Sequence, residues 1–344
     1  MSYTNGLDKP SDYFETKLWT GNSTDDTAIT GLDFAPNWVW IKNRTDTNSH
    51  ALFDTVRGAT KYIESDTTDA EATGATFLKS FTSDGFVLGT GGRVNNNAKL
   101  YASWNWKAGT SFTNDASSTG IGTIDSTGSV NTDAGFSIIS YTGNATTNAK
   151  VAHGLGVAPS MMIVKKRNGA FNWGIYHKTL TAHKLITFTT NAPDDDASYW
   201  NDVEPTSTVF NLGSGALTNG SGSTMIAYCF TPIQGYSKFG SYVGNENADG
   251  TFVYTGFKPA FVITKVSTTT GGWHMQDNKR NGFNYQNYRL FANTNASSTE
   301  NSRMDLLSNG FKYRDGDGNH GTNIYMAFAE NPFVTSTGVP ATAR

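Results

Sequence analysis

Cysteine is almost missing from this sequence. Cys229 stands alone among 344 residues, so no intramolecular disulfide can form, and its place inside the apolar run Met225 to Phe230 marks a small buried thiol. Oxidising secretion is therefore not indicated. Charge is also scarce: 16 % of residues are Asp, Glu, Lys or Arg and the net charge is -3, whereas electrostatic capture of nucleic acid needs clustered Lys and Arg. The longest basic group, Lys165-Lys166-Arg167, ends an apolar run and reads as a solvated strand end. No apolar run approaches the roughly 18 residues of a membrane helix, and Met1 to Pro10 is polar, without the apolar centre of a signal peptide. The expectation is a chain made in a cytoplasm, with no nucleic-acid partner and no membrane insertion.

Catalytic patterns are equally thin. The sequence has no Gly-x-Ser-x-Gly elbow, no cysteine set beside a histidine and no zinc-ligand spacing. Paired carboxylates for glycoside hydrolysis can lie far apart in a chain, so a polysaccharide-degrading role stays open as an alternative, but the few acids sit mostly in Thr/Ser/Asn loops. Asp315-Gly-Asp317-Gly-Asn319 starts like a calcium loop, yet His320 holds the sixth position and Met326 the twelfth, where such a loop needs Gly and Glu. It reads as a polar hairpin, and Asp194-Asp195-Asp196 as a solvated loop. The expectation is a non-enzyme with no cofactor and no metal.

What is plentiful is glycine, 36 residues, and aromatic side chains, 13 % of the chain. Short apolar runs such as Trp38 to Ile41, Met161 to Val164 and Phe261 to Ile263 are bounded by Pro or polar turns, the signature of buried strands, and no amphipathic helix exceeds two turns. Laying the chain on itself reveals a threefold repeat. Trp19-Thr-Gly21-Asn22, Tyr141-Thr-Gly143-Asn144 and Tyr242-Val-Gly244-Asn245 each lead to a Pro-led strand. Pro36, Pro159 and Pro259 are 123 and 100 residues apart, and Ala102, Ala227 and Ala327, in the closing strands, 125 and 100. The predicted fold is all-β: three related sandwich-like units of jelly-roll or lectin type, in tandem or about a pseudo-threefold axis. Residues 1–107 hold unit 1 with an N-terminal arm, 108–134 a Ser/Thr/Gly linker with one extended strand at most, 135–232 unit 2, 233–333 unit 3 and 334–344 a strand-like C-terminal extension.

The repeat decides how His153-Gly154-Leu155-Gly156 is read. A glycine-rich turn beside a histidine could bind an anion or shuttle protons. His153, however, falls opposite Thr30 and Thr255, while Gly154 falls opposite Gly31 and Gly256. What the units share is a backbone turn, and a phosphate cradle would need a following helix, not a strand.

Several stretches resemble a repeat family common in tailed bacteriophages of marine bacteria and cyanobacteria: Tyr3 to Phe14, Trp38 to Arg44, Phe53-Asp-Thr-Val-Arg-Gly58, His153 to Pro159, Gly235 to Gly240 and Phe328-Ala-Glu-Asn-Pro-Phe333. The resemblance covers nearly the whole chain. It implies a virion protein of tail-fibre or tail-tip type, exposed on the particle and helping it attach to a host, with other virion proteins and a host-surface glycan or protein as partners, and a homo-oligomer, a trimer above all. It brings no catalytic residue with it. The alternative within the same family is a head-decoration or neck protein without a receptor, using its C-terminal extension to lie along a neighbour's sheet edge.

Aromatics in the apolar strands, Trp38, Trp40, Trp104, Trp106, Phe261 and Phe328, read as core. Two polar loops set rings beside amides: Tyr199, Trp200 and Asn201, followed by Asp202, and Phe283, Asn284, Tyr285 and Tyr288. A flat ring packs against a sugar face while an amide meets its hydroxyls, so these seven residues are the candidate glycan or protein contacts; the competing reading folds both loops onto their own domain.

Overall fold

Runs of four to eight apolar residues closed by Pro or polar turns become strands. A computed structural model describes residues 7–300, 304–316 and 318–341, and its strands form antiparallel sheets. Sheet I is ordered Phe14–Thr20, Leu100–Trp106, Trp38–Asn43, Ala51–Asp54. Sheet II is ordered Thr110–Asn114, Ser126–Asn131, Phe136–Thr142, Thr224–Phe230, Met161–Lys166, Gly174–His177. Sheet III is ordered Ser237–Val243, Thr322–Pro332, Phe257–Val266, Trp273–Asp277, Leu290–Phe291. Smaller sheets, among them Thr27–Ile29 with Gly85–Leu88, Ala149–Ala152 with Val209–Leu212, and Phe252–Tyr254 with Gly310–Tyr313, cover their outward faces.

Side chains alternate across a strand, and here both faces are buried. In the strand Trp38–Asn43, Trp38 and Trp40 enter a central core while Val39 and Ile41 enter an outer one. Met161 and Ile163 repeat the division against Met162 and Val164, and Phe261 and Ile263 against Val262. The central core is thus common to all three sheets. Aromatic rings knit it: Trp38 stacks on Tyr228 with centroids 4.4 Å apart, Trp104 meets Phe261 at 5.3 Å and Phe230 meets Phe328 at 6.0 Å. All six strand aromatics expected in the core are there.

Hydrogen bonds run round this core from sheet to sheet. His50 Nδ1 accepts from Trp40 Nε1 at 2.8 Å, which leaves its Nε2–H to donate to Phe291 O at 2.9 Å. At corresponding places Trp173 Nε1 donates to Glu64 O at 2.7 Å and Trp273 Nε1 to Thr187 O at 2.8 Å.

Three expectations change. Ala102 faces the central core, whereas Ala227 and Ala327 face outer cores, because Ala102 pairs with Lys42 while Lys165 and Lys265 pair with Ile226 and Ile324. The alanine anchor is therefore out of register with the proline anchor, by one residue at Ala227 and by three at Ala327. Residues 108–134 are not a linker: Thr110–Asn114 and Ser126–Asn131 are strands of sheet II, and hydroxyl-rich sequence suffices for strands that finish a sheet edge. The C-terminal extension folds back, with Thr335 N donating to Val339 O at 2.9 Å and Ser336 N to Asp8 Oδ1 at 2.7 Å, so its described part does not reach outward as a strand. The end of that extension and the start of the N-terminal arm lie outside the described residues.

Candidate functional site

A minority of the charged and titratable groups is drawn inward. Asp54 and Arg57 are buried and joined Oδ2 to Nε at 2.5 Å; Tyr228 OH from sheet II donates to Asp54 Oδ2 at 2.6 Å. Asp277 and Arg280 repeat the pair at 2.5 Å, with Trp104 Nε1 donating to Asp277 Oδ2 at 3.2 Å. At the corresponding place in sheet II stands His177, whose Nε2 lies 3.2 Å from Tyr325 O. These groups lock one sheet to the next. Buried ion pairs of this kind hold geometry.

His153 is fully buried. Its Nδ1 accepts from Leu155 N at 3.2 Å and its Nε2 faces Thr206 O at 3.1 Å. Burial pushes its pKa down to about 4, so the ring is neutral and structural at pH 7. The neighbouring Gly154 has φ +72°, as Gly31 and Gly256 have +81° and +84°, a left-handed conformation that favours glycine. The turn reading of this stretch stands.

Lys165 departs from expectation. It is 0 % exposed, not a solvated strand end: its Nζ donates to Thr68 O at 3.0 Å and also to Phe171 O. Lys42 Nζ donates to Asn295 O at 3.1 Å and Lys265 Nζ to Thr190 O at 3.2 Å. Each of these lysines follows its Pro-led strand's proline by six positions, a regularity that was visible in the sequence and marks a buried tie.

The two aromatic loops behave differently. Asp196 caps the short helix Ala197–Trp200 by accepting from Ser198 N, and the helix turns Trp200 inward, 1 % exposed, against Tyr176 at 6.0 Å. Trp200 therefore cannot present its face to a ligand. Asn201 is spent as the left-handed C-cap, φ 55°, and Tyr199 is partly buried against the same outer core, its OH 3.3 Å from Asp194 Oδ2.

In the other loop Asp277 fixes the turn by accepting from Lys279 N at 3.0 Å and Arg280 N at 2.9 Å. The amides then hold the loop from within. Asn284 Nδ2 donates to Leu306 O and its Oδ1 accepts from Leu306 N, both at 2.9 Å; Gln286 Nε2 donates to Phe283 O at 2.8 Å. Asn284 is thus a brace, not a contact for an outside hydroxyl. The rings remain outside: Phe283 is 77 % and Tyr285 45 % exposed. Tyr288 is half-buried, with its hydroxyl bonded to Glu300, which raises its pKa. Among the described residues no hydrogen bond or ring contact joins this loop to the Tyr199 loop, so the seven candidates do not form one site.

A second surface has no local signature in the sequence. An open groove of about 530 Å³ lies between Ile233, Gly235, Lys238, Tyr254, Gly256 and Phe333. Its walls come from segments far apart in the chain, and no local pattern announces it. Among the described residues no group of three or more His, Cys, Asp or Glu could hold a metal ion.

A family model described as "Domain of unknown function (DUF7483)" matches residues 9–332. No curated protein and no solved structure matches the chain.

Proposed function

Because the chain belongs to this family of unknown function, DUF7483, which brings no activity with it, we propose from its own residues that it is a non-enzymatic virion protein of a tailed bacteriophage that helps the particle attach to a host surface. The observation that carries the reading is the pair Phe283 and Tyr285, exposed on a loop whose own amides hold it rigid. Rings that need no ordering before contact lose little entropy on binding a sugar face or a protein surface. The sequence resemblance to tail-fibre-like repeats gives the setting.

The same reading takes the three sheets as copies of one unit about a pseudo-threefold axis. It is supported by the recurring strand order and by the bonds of His50, Trp173 and Trp273, each reaching the next sheet in the same sense. The threefold core is then complete within one chain, and trimerisation is not needed to build it.

Purified protein should compete with particles for host cells, and the double variant Phe283→Ala/Tyr285→Ala should compete about tenfold less well or worse, the usual weight of exposed aromatic anchors. Because Phe283 is 77 % exposed, the single variant Phe283→Ala should also compete less well while keeping the parent's melting temperature. Particles lacking the protein that adsorb normally would overturn the reading.

A further inference from the structure

The sides of the three sheets are finished in different ways. In sheet II the strand Phe136–Thr142 is covered by the chain itself: Ser126–Asn131 pairs along it, Thr110–Asn114 pairs outside that, and Ile124 bridges Val151 of the outer sheet. Ser126 Oγ donates to Ala152 O at 3.0 Å, and Ala152 is buried. In sheet I the edge strand Phe14–Thr20 carries Glu15 and Lys17, charges of the kind that discourage strand addition.

Sheet III has neither device in full. Ser237–Val243 is the edge of its sheet and Phe252–Tyr254 the edge of the outer sheet. The two run side by side, with Thr251 Oγ1 donating to Val243 O and Lys238 Nζ to Tyr254 O, both at 2.8 Å. Lys238 therefore tends the Tyr254 carbonyl as Ser126 tends that of Ala152. Apolar surface is left bare along this side: Val243 is 66 %, Tyr254 53 % and Phe252 43 % exposed.

We propose that Ser237–Val243 accepts an extended, uncharged segment of another protein as an added antiparallel strand, with the rings of Phe252 and Tyr254 packing on an apolar side chain of that segment. Strand addition draws affinity from main-chain hydrogen bonds and specificity from alternate side-chain contacts. The chain supplies the pattern for the occupant: the segment that finishes sheet II reads Ser126-Thr-Gly-Ser-Val-Asn131, hydroxyl-rich, uncharged and with one valine. The turn Thr55-Val56 of sheet I stands beside that added pair, whereas the corresponding turn Lys178–Leu180 stands beside the edge strand Ser237–Val243 itself. The inference does not depend on the particle to which the protein belongs.

The probe is a labelled synthetic peptide, blocked at both ends, with the uncharged sequence of residues 126–131, added to the full-length protein. Hydrogen exchange should show new protection in Ser237–Val243 and none in Phe14–Thr20, and Phe252→Lys, a change at an exposed ring, should weaken binding about tenfold with exchange elsewhere unaltered. No protection at millimolar peptide, equal protection of both edges, or full binding by Phe252→Lys would each overturn the proposal. Concentration-dependent protection of Ser237–Val243 without peptide would assign the edge to a second copy of this chain and overturn it as well.

Discussion

Lys42, Lys165 and Lys265 are the residues whose chemistry departs furthest from the ordinary. Burial pushes each amine down to about 8 from 10.5, since a charge taken from water is disfavoured even when carbonyls receive its protons. Above pH 8 the unfolded chain therefore holds more protons at these sites than the folded one, and stability rises with pH. Opposing groups enter later: burial raises the Cys229 thiol to about 12 from 9.0 and Tyr141, Tyr228 and Tyr242 well above 10.0, so they withdraw stability only above pH 9 to 10. On the acid side burial lowers His153 and His177 to about 4 from 6.5, and stability falls as pH drops through that interval. The melting temperature should climb from pH 4 to 6.5, change little to pH 8 and climb again to pH 9. Thermal scans of the parent and of Lys165→Met check this: the variant should show a smaller alkaline rise, and a parent flat between pH 8 and 9 would exclude the lowered amines.

The recurring Gly-Asn turn shows how an element is stapled. Asn95, Asn219 and Asn319 are fully buried. Asn219 Oδ1 accepts from Asn144 N at 2.9 Å while its Nδ2 donates to Thr146 O and Gly213 O at 3.0 and 2.7 Å. Asn95 does the same for Asn22, Thr24 and Gly89, and Asn319 ties Asn245 and Asn247. A Cβ on Gly143 would stand 2.5 Å from Gly220 O, which is why glycine precedes the asparagine. Asn219→Ala strands three backbone groups and should cost about 2–4 kcal/mol, read by urea unfolding, with the 143–148 turn exchanging first; a loss below about 0.5 kcal/mol, the range of neutral surface changes, would refute the staple. The strands, the turn glycines and the core tryptophans were legible in the sequence because alternation and φ preferences are local. The staple was not, because its partners lie more than seventy residues apart and asparagine is abundant in every loop. Trp200 misled for a related reason: its polar neighbours cap a one-turn helix that swings the ring inward. Residues 108–134 misled because hydroxyl-rich composition fits a solvated linker and an edge-finishing strand equally well. Of the site, the exposure of Phe283 was foreseeable and the inward use of Asn284 was not, since an amide's direction is set by Leu306, a neighbour only the fold supplies.

At the scale of the whole molecule, the central core belongs to no single segment. Trp38 packs on Tyr228, Phe14 on Phe328 at 5.1 Å, and Phe188 on Trp273 at 5.1 Å, so each sheet completes its burial on rings from the others. Cutting the chain at its sequence boundaries would leave one face of every sheet bare: residues 135–232 alone would expose Ile138, Ile163, Tyr228 and Phe230, all now within 1 % of full burial. At about 1.5–3 kcal/mol for each large side chain returned to water, these four alone are comparable with the whole margin of a domain that small. Beads on a string would behave otherwise, each folding alone and melting separately. The isolated 135–232 fragment should therefore aggregate or stay unfolded. The intact chain should lose its tryptophan fluorescence and its β circular dichroism in one coincident transition, because Trp38, Trp104 and Trp273 report on the same core. A monomeric fragment with dispersed amide resonances, or two separated transitions in the full chain, would show that the sheets are independent after all.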